Sequence, residues 1–387
     1  MDFSLTEDQR AFADTAAALL GDHCTDEALR AHDVGDAPFM QAAWREAVQA
    51  GLHGVIVPEE AGGLGLGMTD LMPVLQAQGR ALALVPLWEH ALATAVLARF
   101  GGAAHETLAA QAAAGESLLM LSLADANASR GLGLRLQQDG EGWRLQGRMG
   151  AVPLAAQASQ VLLPAQFDGT DHSVAGVSTG AVRWVLVDPA RMAQTPGRTQ
   201  HHLAVADLAT DGLSLQAQDV LPPEALAWAE PRAIAALAAL QLGVTERQLE
   251  RTVEYVSQRK QFGRPIGSFQ LVAGQLADGW MALEALRSSL WQVVYRLDAG
   301  LGVQAQALAL RVLACDCGHR TGHTAQHVHG GIGVDLTYPI HRHLYWSRAL
   351  NAALGGSEAY LERLGNWLAD NDRLGWKYDL PEDATNL

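Results

Sequence analysis

Cysteine is scarce in this chain: Cys24, Cys315 and Cys317 are all it has in 387 residues. Three thiols make no disulfide framework, and Cys315 and Cys317, two apart in a helical pattern, point their side chains apart. Reduced thiols, as in the cytoplasm, are the expected state. Charge is also sparse, at 18% of residues, and lopsided. Against 27 Lys and Arg stand 42 Asp and Glu, a formal net charge of −15. That excess argues against a nucleic-acid partner and against an anionic membrane surface. Long apolar runs are missing too. A stretch such as residues 233–242 falls far short of the ~20 residues a bilayer span needs, so no membrane insertion is expected. The amino-terminal Met-Asp-Phe-Ser-Leu-Thr-Glu-Asp-Gln is acidic, unlike a secretory or organelle-targeting leader, and the expected location is cytoplasmic. What the chain has in quantity is hydrophobic residues, 49% of the total, enough for one large subdivided core or two to three domains.

The apolar pattern changes twice along the chain. Residues 1–117 read as helical, with Thr6 as an N-cap and Glu7 and Asp8 in the first turn. Phe12, Ala16, Leu19 and Leu20 then share one face. Residues 118–222 read as a β domain. Short apolar runs at 117–124, 131–137, 142–147, 159–164 and 183–188, bounded by Gly, Asp, Pro and Gln, predict an antiparallel sheet or small barrel. Residues 167–181, rich in Gly, Ser, Asp and Thr, predict an exposed loop within it. Residues 223–387 turn helical again after Pro222-Pro223, with a four-helix bundle over 224–369. Val253, Val256, Leu271, Val272, Leu276, Met281, Leu283 and Leu286 recur there at helical spacing. The alanine-rich stretch 234–242 lets helices approach closely. The fold class is therefore α+β: helical, then sheet, then helical.

Between two of the predicted helices lies Arg-Lys-Gln-Phe-Gly-Arg-Pro-Ile-Gly-Ser-Phe-Gln, residues 259–270. Gly263, Pro265 and Gly267 supply turn chemistry, Arg259 a rigid fork of donors suited to a phosphate, and Phe262 an aromatic face. This segment resembles the flavin-binding turn of the acyl-CoA dehydrogenase family, Arg-x-x-Phe-Gly-x-x-Ile-x-x-Phe-Gln. A second segment, His329-Gly-Gly-Ile-Gly followed by Tyr338-Pro-Ile-His-Arg, stands about where that family carries its other flavin segment. The loop at 58–67, Pro-Glu-Glu-Ala-Gly-Gly-Leu-Gly-Leu-Gly, lacks a P-loop Lys-Ser/Thr and fits no dinucleotide fingerprint. The family has a similar loop, so its expected role is structural.

The resemblance implies FAD and the α,β-desaturation of an acyl-CoA thioester, with an electron-transfer flavoprotein or similar acceptor. It also implies that Arg259, Gln261, Phe262, Phe269, Gln270, His327, Gly330 and Gly331 contact the flavin of a neighbouring subunit. Desaturation needs a base for the α-proton and an acceptor for the β-hydride. Yet the family's catalytic glutamate position, just after the second segment, is Gly355 here. The alternative position, on the helix before the turn, is Ala233. No catalytic residue is therefore assigned. Glu230 is the best candidate for a relocated base, ahead of Glu358 and Glu59. The family's sheet-domain motif Thr-Glu-Pro-x-Ala-Gly-Ser-Asp has become Ala124-Asp-Ala-Asn-Ala-Ser, and its Lys-x-Trp-Ile-Thr strand has become residues 148–153. Both losses fall on the flavin's own-subunit side.

Residues 329–356 are similar to a branch of the family found in bacterial steroid side-chain catabolism, often as heterotetramers of unlike subunits. That implies a partner subunit with the missing glutamate and a bulky steroid-derived CoA thioester as substrate. A homomeric dehydrogenase using Glu230, or a non-catalytic acyl-CoA or flavin binder, are the alternatives. Cys315, Cys317, His319, His323, His327 and His329 invite a metal reading, but no His-Glu-x-x-His motif or evident third ligand accompanies the i, i+4 pair His319 and His323, and no metal is assigned. Trp280, Trp291 and Trp346 read as core and interface anchors.

Overall fold

The computed structural model describes residues 4–124, 132–167 and 182–371. Six helices come first: α1 (Glu7–His23), α2 (Asp26–Val34), α3 (Gln41–Gln49), α4 (Met68–Ala81), α5 (Leu87–Phe100) and α6 (Glu106–Ala113). Thr6 caps α1 as expected, in a reciprocal capping box with Gln9, and Ala16 and Leu20 are buried on its inner face. The glycine loop is built by packing. A Cβ at Gly63 would stand 2.2 Å from the Val57 carbonyl oxygen, and one at Gly67 would stand 2.5 Å from the Asp298 carboxylate. That carboxylate closes the start of α4, accepting from the Met68 and Thr69 amides at 2.8 Å each. The structural reading of the loop therefore holds.

The middle of the chain forms a seven-stranded sheet: β1 (Leu119–Leu121), β2 (Leu134–Asp139), β3 (Gly142–Pro153), β4 (Gln160–Phe167), β5 (Val182–Val187), β6 (Ala193–Arg198) and β7 (Ala204–Leu215). The expected antiparallel sheet needs correction, because it is mixed. β4 runs parallel to both β1 and β2, and antiparallel to β5. The β2–β3 hairpin comes between β1 and β4 in sequence and returns the chain to its starting direction, so β4 enters beside β1 in the same sense. Turn residues encode the hairpins, but which edges meet is a long-range choice. Two register shifts along the β3–β7 ladder, with Ala151 and Gly147 at positive φ, bend the long strands. The sheet keeps its own apolar core around Leu136, Leu145, Val161, Leu163 and Leu208. The loop expected at 167–181 lies outside the described residues beyond Phe167.

Helices resume with α7 (Pro223–Gln258), α8 (Gln270–Asp298), α9 (Gln304–His329), α10 (Ile340–Ala352) and α11 (Gly356–Asp370). A two-stranded hairpin, β8 (Lys260–Gln261) and β9 (Arg264–Pro265), joins α7 to α8. The bundle thus holds three long helices and two shorter ones, because the expected fourth is broken at Gly355-Gly356, both at positive φ. α7 is the spine. Against α4 its approach is so close that a Cβ on Gly79 would sit 2.1 Å from the Leu240 carbonyl oxygen, and one on Gly243 2.0 Å from that of Gln76. The alanine-rich stretch and these glycines make that contact, and any side chain at Gly79 or Gly243 would force the helices apart. Arg80 on α4 ties the same seam to Glu246 and Glu250 at 2.7 and 2.9 Å.

Candidate functional site

The segment singled out in the sequence is the hairpin at the end of α7. Arg259 leaves the helix with an extended backbone, and its carbonyl accepts from the Ile266 amide at 2.8 Å to close the turn. At the tip, Phe262 and Gly263 have φ of 53° and 77°, the two positive values of a mirror-image two-residue turn. Glycine tolerates that backbone; Phe262 holds it at a cost of about 1–2 kcal/mol. Its ring is also 93% exposed. A strained aromatic held out in water is a feature that a covering surface would explain.

Around it, Arg259, Gln261 and Gln270 are exposed, and Phe269 is half-buried, meeting Phe262 edge-on with ring centres 6.2 Å apart. The Arg264 guanidinium lies 4.2 Å over the Phe269 ring. Among the described residues Arg259 has no ion-pair partner, so its fork of donors is open.

The second segment lies at the same end of the bundle. His329, the last residue of α9, stacks on Tyr255 of α7 at 4.2 Å and 19°, one turn before Arg259. The buried imidazole bonds the Ala325 carbonyl through Nδ1 at 2.7 Å, leaves Nε2 without a partner, and is held toward the neutral form by burial. This stack brings the hairpin and the Gly330–Gly331 turn together. Sequence reading missed Tyr255; its spacing of four from Arg259 was the available signal. His327 is exposed on the last turn of α9. Gly330 sits at φ 61°, and a Cβ on either Gly330 or Gly331 would meet nothing within 4 Å. The positive φ at the end of α9 accounts for Gly330, but among the described residues nothing packs on Gly331, and the open backbone of both fits a phosphate-bearing group approaching from outside.

Near Glu89 the chain encloses a much smaller space. The eroded motif at 125–129 lies outside the described residues, but the strand at 148–153 is the second half of β3. Beyond it, Leu154, His201, Leu203, Trp346, Leu350, Trp88 and Glu89 close in on a cavity of only about 40 Å³. That is space for a few waters, whereas cofactor-sized ligands occupy roughly 300 Å³ or more. Gly355, where the family keeps its base, has φ 96° and ψ 13° at the break between α10 and α11, a conformation that penalises a glutamate.

The other carboxylates sort clearly. Glu230 sits one turn from the buried Ala233 but is engaged by Arg363 of α11, at 2.5 and 2.9 Å, and by the Tyr360 hydroxyl at 3.3 Å. Glu358 lies in the first turn of α11, and Glu59 is exposed on the glycine loop. Glu89, which sequence reading passed over, is buried in α5 with Oε2 unpartnered. The single acid in a mostly apolar helix was the signal.

Burial pushes the Glu89 carboxyl up from 4.5 to about 8. The folded chain therefore keeps the proton where the unfolded chain has released it. Its favourable balance is complete below about pH 4.5 and is lost as pH rises through 8. Glu89→Gln is expected to leave stability near pH 5 little changed and to raise it by about 2–4 kcal/mol at pH 9, measured by denaturant unfolding at both values. Equal effects at the two pH values would mean Glu89 is charged in the fold.

His319 and His323 lie side by side, ring centres 4.6 Å apart, and the three cysteines are free and buried. Among the described residues no three His, Cys, Asp or Glu come together as a metal site. No helix of the described residues is long and apolar enough to cross a membrane.

Comparison with known proteins bears on these two half-sites. Residues 6–116 match the acyl-CoA dehydrogenase N-terminal domain and residues 233–369 the C-terminal domain. The acyl-CoA dehydrogenase FadE27 of Mycobacterium tuberculosis is 32% identical over 381 residues, covering 96% of this chain and 99% of that protein. The chain belongs to the acyl-CoA dehydrogenase family. Among solved structures, the ChsE4-ChsE5 complex from Mycobacterium tuberculosis has a chain 32% identical with a TM-score of 0.87, covering 96% of this dehydrogenase homologue and all of its own length, 100%. The Tcur3481-Tcur3483 steroid acyl-CoA dehydrogenase variant is 35% identical with a TM-score of 0.85, covering 94% and 98% of the two chains. The resemblance of this acyl-CoA dehydrogenase to the branch with steroid-degradation subunits is thus sustained over nearly its whole length, not only in residues 329–356.

Proposed function

We propose that this chain is the subunit of a heteromeric acyl-CoA dehydrogenase that completes a partner's flavin site without holding a flavin or a base of its own. One contrast carries the reading. The hairpin and glycine turn are open and uncovered, while the family's two base positions are Gly355 and Ala233, which carry no carboxylate. FAD, when bound, accepts the hydride from the β-carbon of an acyl-CoA thioester.

The residues of this chain would hold and orient that cofactor from outside. Arg259 donates to diphosphate oxygens, and Gln261, Gln270 and His327 supply further polar contacts. Phe262 and Phe269 cover an apolar edge, and the Gly330 and Gly331 amides approach phosphate without obstruction. The catalytic carboxylate comes from the partner subunit, since Gly355 and Ala233 supply none. Covering the hairpin would remove the exposed Phe262 ring from water, along with Leu271 and Met281 on α8, 72% and 63% exposed.

A steroid-derived acyl-CoA is the proposed substrate, because FadE27-like and steroid acyl-CoA dehydrogenase chains align end to end with this one. An electron-transfer flavoprotein or similar acceptor would reoxidise the cofactor, and the proposed setting is the cytoplasm.

Native mass spectrometry of the complex purified from its own cell tests this reading. Two kinds of chain and half as many flavins as chains, about two per tetramer, are expected from shared sites at a symmetric interface. One flavin per chain in a homotetramer would return the homomeric enzyme to first place.

A further inference from the structure

A second cleft, of about 610 Å³, opens far from the hairpin, between the glycine loop and the outer end of the α5–α7 seam. It is separate from the small cavity beside Glu89. From Glu89 to Arg99 along α5 is roughly 15 Å at 1.5 Å per residue. The seam between them is packed shut by Leu92, Val96, Ala233 and Leu237, all at most 2% exposed.

Two arginines share this cleft. The Arg232 guanidinium lies 3.9 Å over the Trp228 ring and spends one donor on the Trp228 carbonyl at 2.7 Å. Arg99 lies 5.7 Å from the same ring. The two repel each other, and burial together with that repulsion lowers Arg232 to about 10. Neither has an ion-pair partner among the described residues. Asp298 attracts Arg232, but its oxygens already accept from Met68, Thr69 and the Thr69 hydroxyl. Asp70 is likewise committed, to the Gly67 amide and to Gln9. Glu59 and Glu60, also at the cleft, are exposed on the loop, where water weakens their pull. Asp298 partly offsets the charge of Arg232, but with its oxygens shared among three other donors it leaves both guanidinium forks free to donate to a further anion. Ile56, Leu66, Ala95 and Leu297 give the otherwise polar cleft an apolar strip.

We propose that this cleft is a binding site for a small organic acid, its carboxylate held by Arg232 and Arg99 and its apolar body against Ile56, Leu66 and Ala95. Trp228 pre-orients Arg232, so little side-chain freedom is lost on binding. Such a site requires no flavin and no partner subunit, and its presence or absence is independent of the reading above.

Calorimetric titration of the full chain with sodium benzoate, benzyl alcohol and inorganic phosphate tests it. Saturable binding of benzoate is expected, with benzyl alcohol and phosphate each at least about ten-fold weaker. Arg99→Gln, an exposed change that leaves the fold alone, should weaken benzoate by about ten- to hundred-fold. Arg232→Met should do the same while keeping an apolar stem on Trp228. No saturable benzoate binding would overturn the proposal. So would benzyl alcohol or phosphate binding as well as benzoate, or an Arg99→Gln chain that binds benzoate like the wild type.

Discussion

Arg259→Ala is expected to empty the flavin site of the assembled complex while leaving the fold intact. The side chain is exposed and makes no ion pair among the described residues, so its loss removes nothing that α7 or the hairpin is seen to depend on. What it removes is a guanidinium facing a diphosphate. A charge-assisted contact of that kind is worth about 1.5–3 kcal/mol, or roughly one to two decades of affinity. Flavin absorbance after gel filtration measures the loss, and circular dichroism checks the fold. Full flavin occupancy with an unchanged spectrum would mean that Arg259 faces only solvent.

The isolated chain is expected to fail in turnover by a larger margin. A positioned base contributes typically ~10²–10⁴-fold, and this chain presents none at either family position. Restoring the residue should not restore the activity. Gly355→Glu would place a glutamate at φ 96°, in a left-handed backbone at the break between α10 and α11 that penalises any side chain. Anaerobic bleaching of added FAD by acyl-CoA reads this directly, with the chain alone, the Gly355→Glu chain and the chain mixed with its partner. Only the mixture should bleach at ordinary enzyme rates. Rapid bleaching by the chain alone would sink the base-lacking reading, and its loss in Glu230→Gln would then name the relocated base.

Local features are legible in the order of residues alone. Thr6 followed by Gln9, Pro223 opening α7, and Gly263 and Pro265 in the hairpin announce helix starts and a turn through short-range chemistry that tertiary contacts do not override. Glycine at 355 reads the same way, because the absence of a carboxylate needs no coordinates. The strands at 119–121, 134–139, 142–153, 160–167 and 182–187 are visible as apolar runs, whereas β6 and β7 are not. β6, Ala-Gln-Thr-Pro-Gly-Arg, is nearly all exposed and carries a proline, which suits an edge strand and leaves no apolar pattern to read.

By itself, then, the sequence determined the order of helical and sheet regions, the family, and the two motif segments at 259–270 and 329–342. Each rests on residue types within a few positions of one another. Only the tertiary structure decided that β4 runs parallel to β1 and β2, that Glu230 is spent on Arg363, and that Arg99 and Arg232 share one cleft. It alone showed that Glu89 of α5 borders a cavity of about 40 Å³ closed by Trp88, Leu154, His201, Trp346 and Leu350. Those outcomes depend on residues tens to hundreds of positions apart meeting through packing, and no local pattern encodes the meeting.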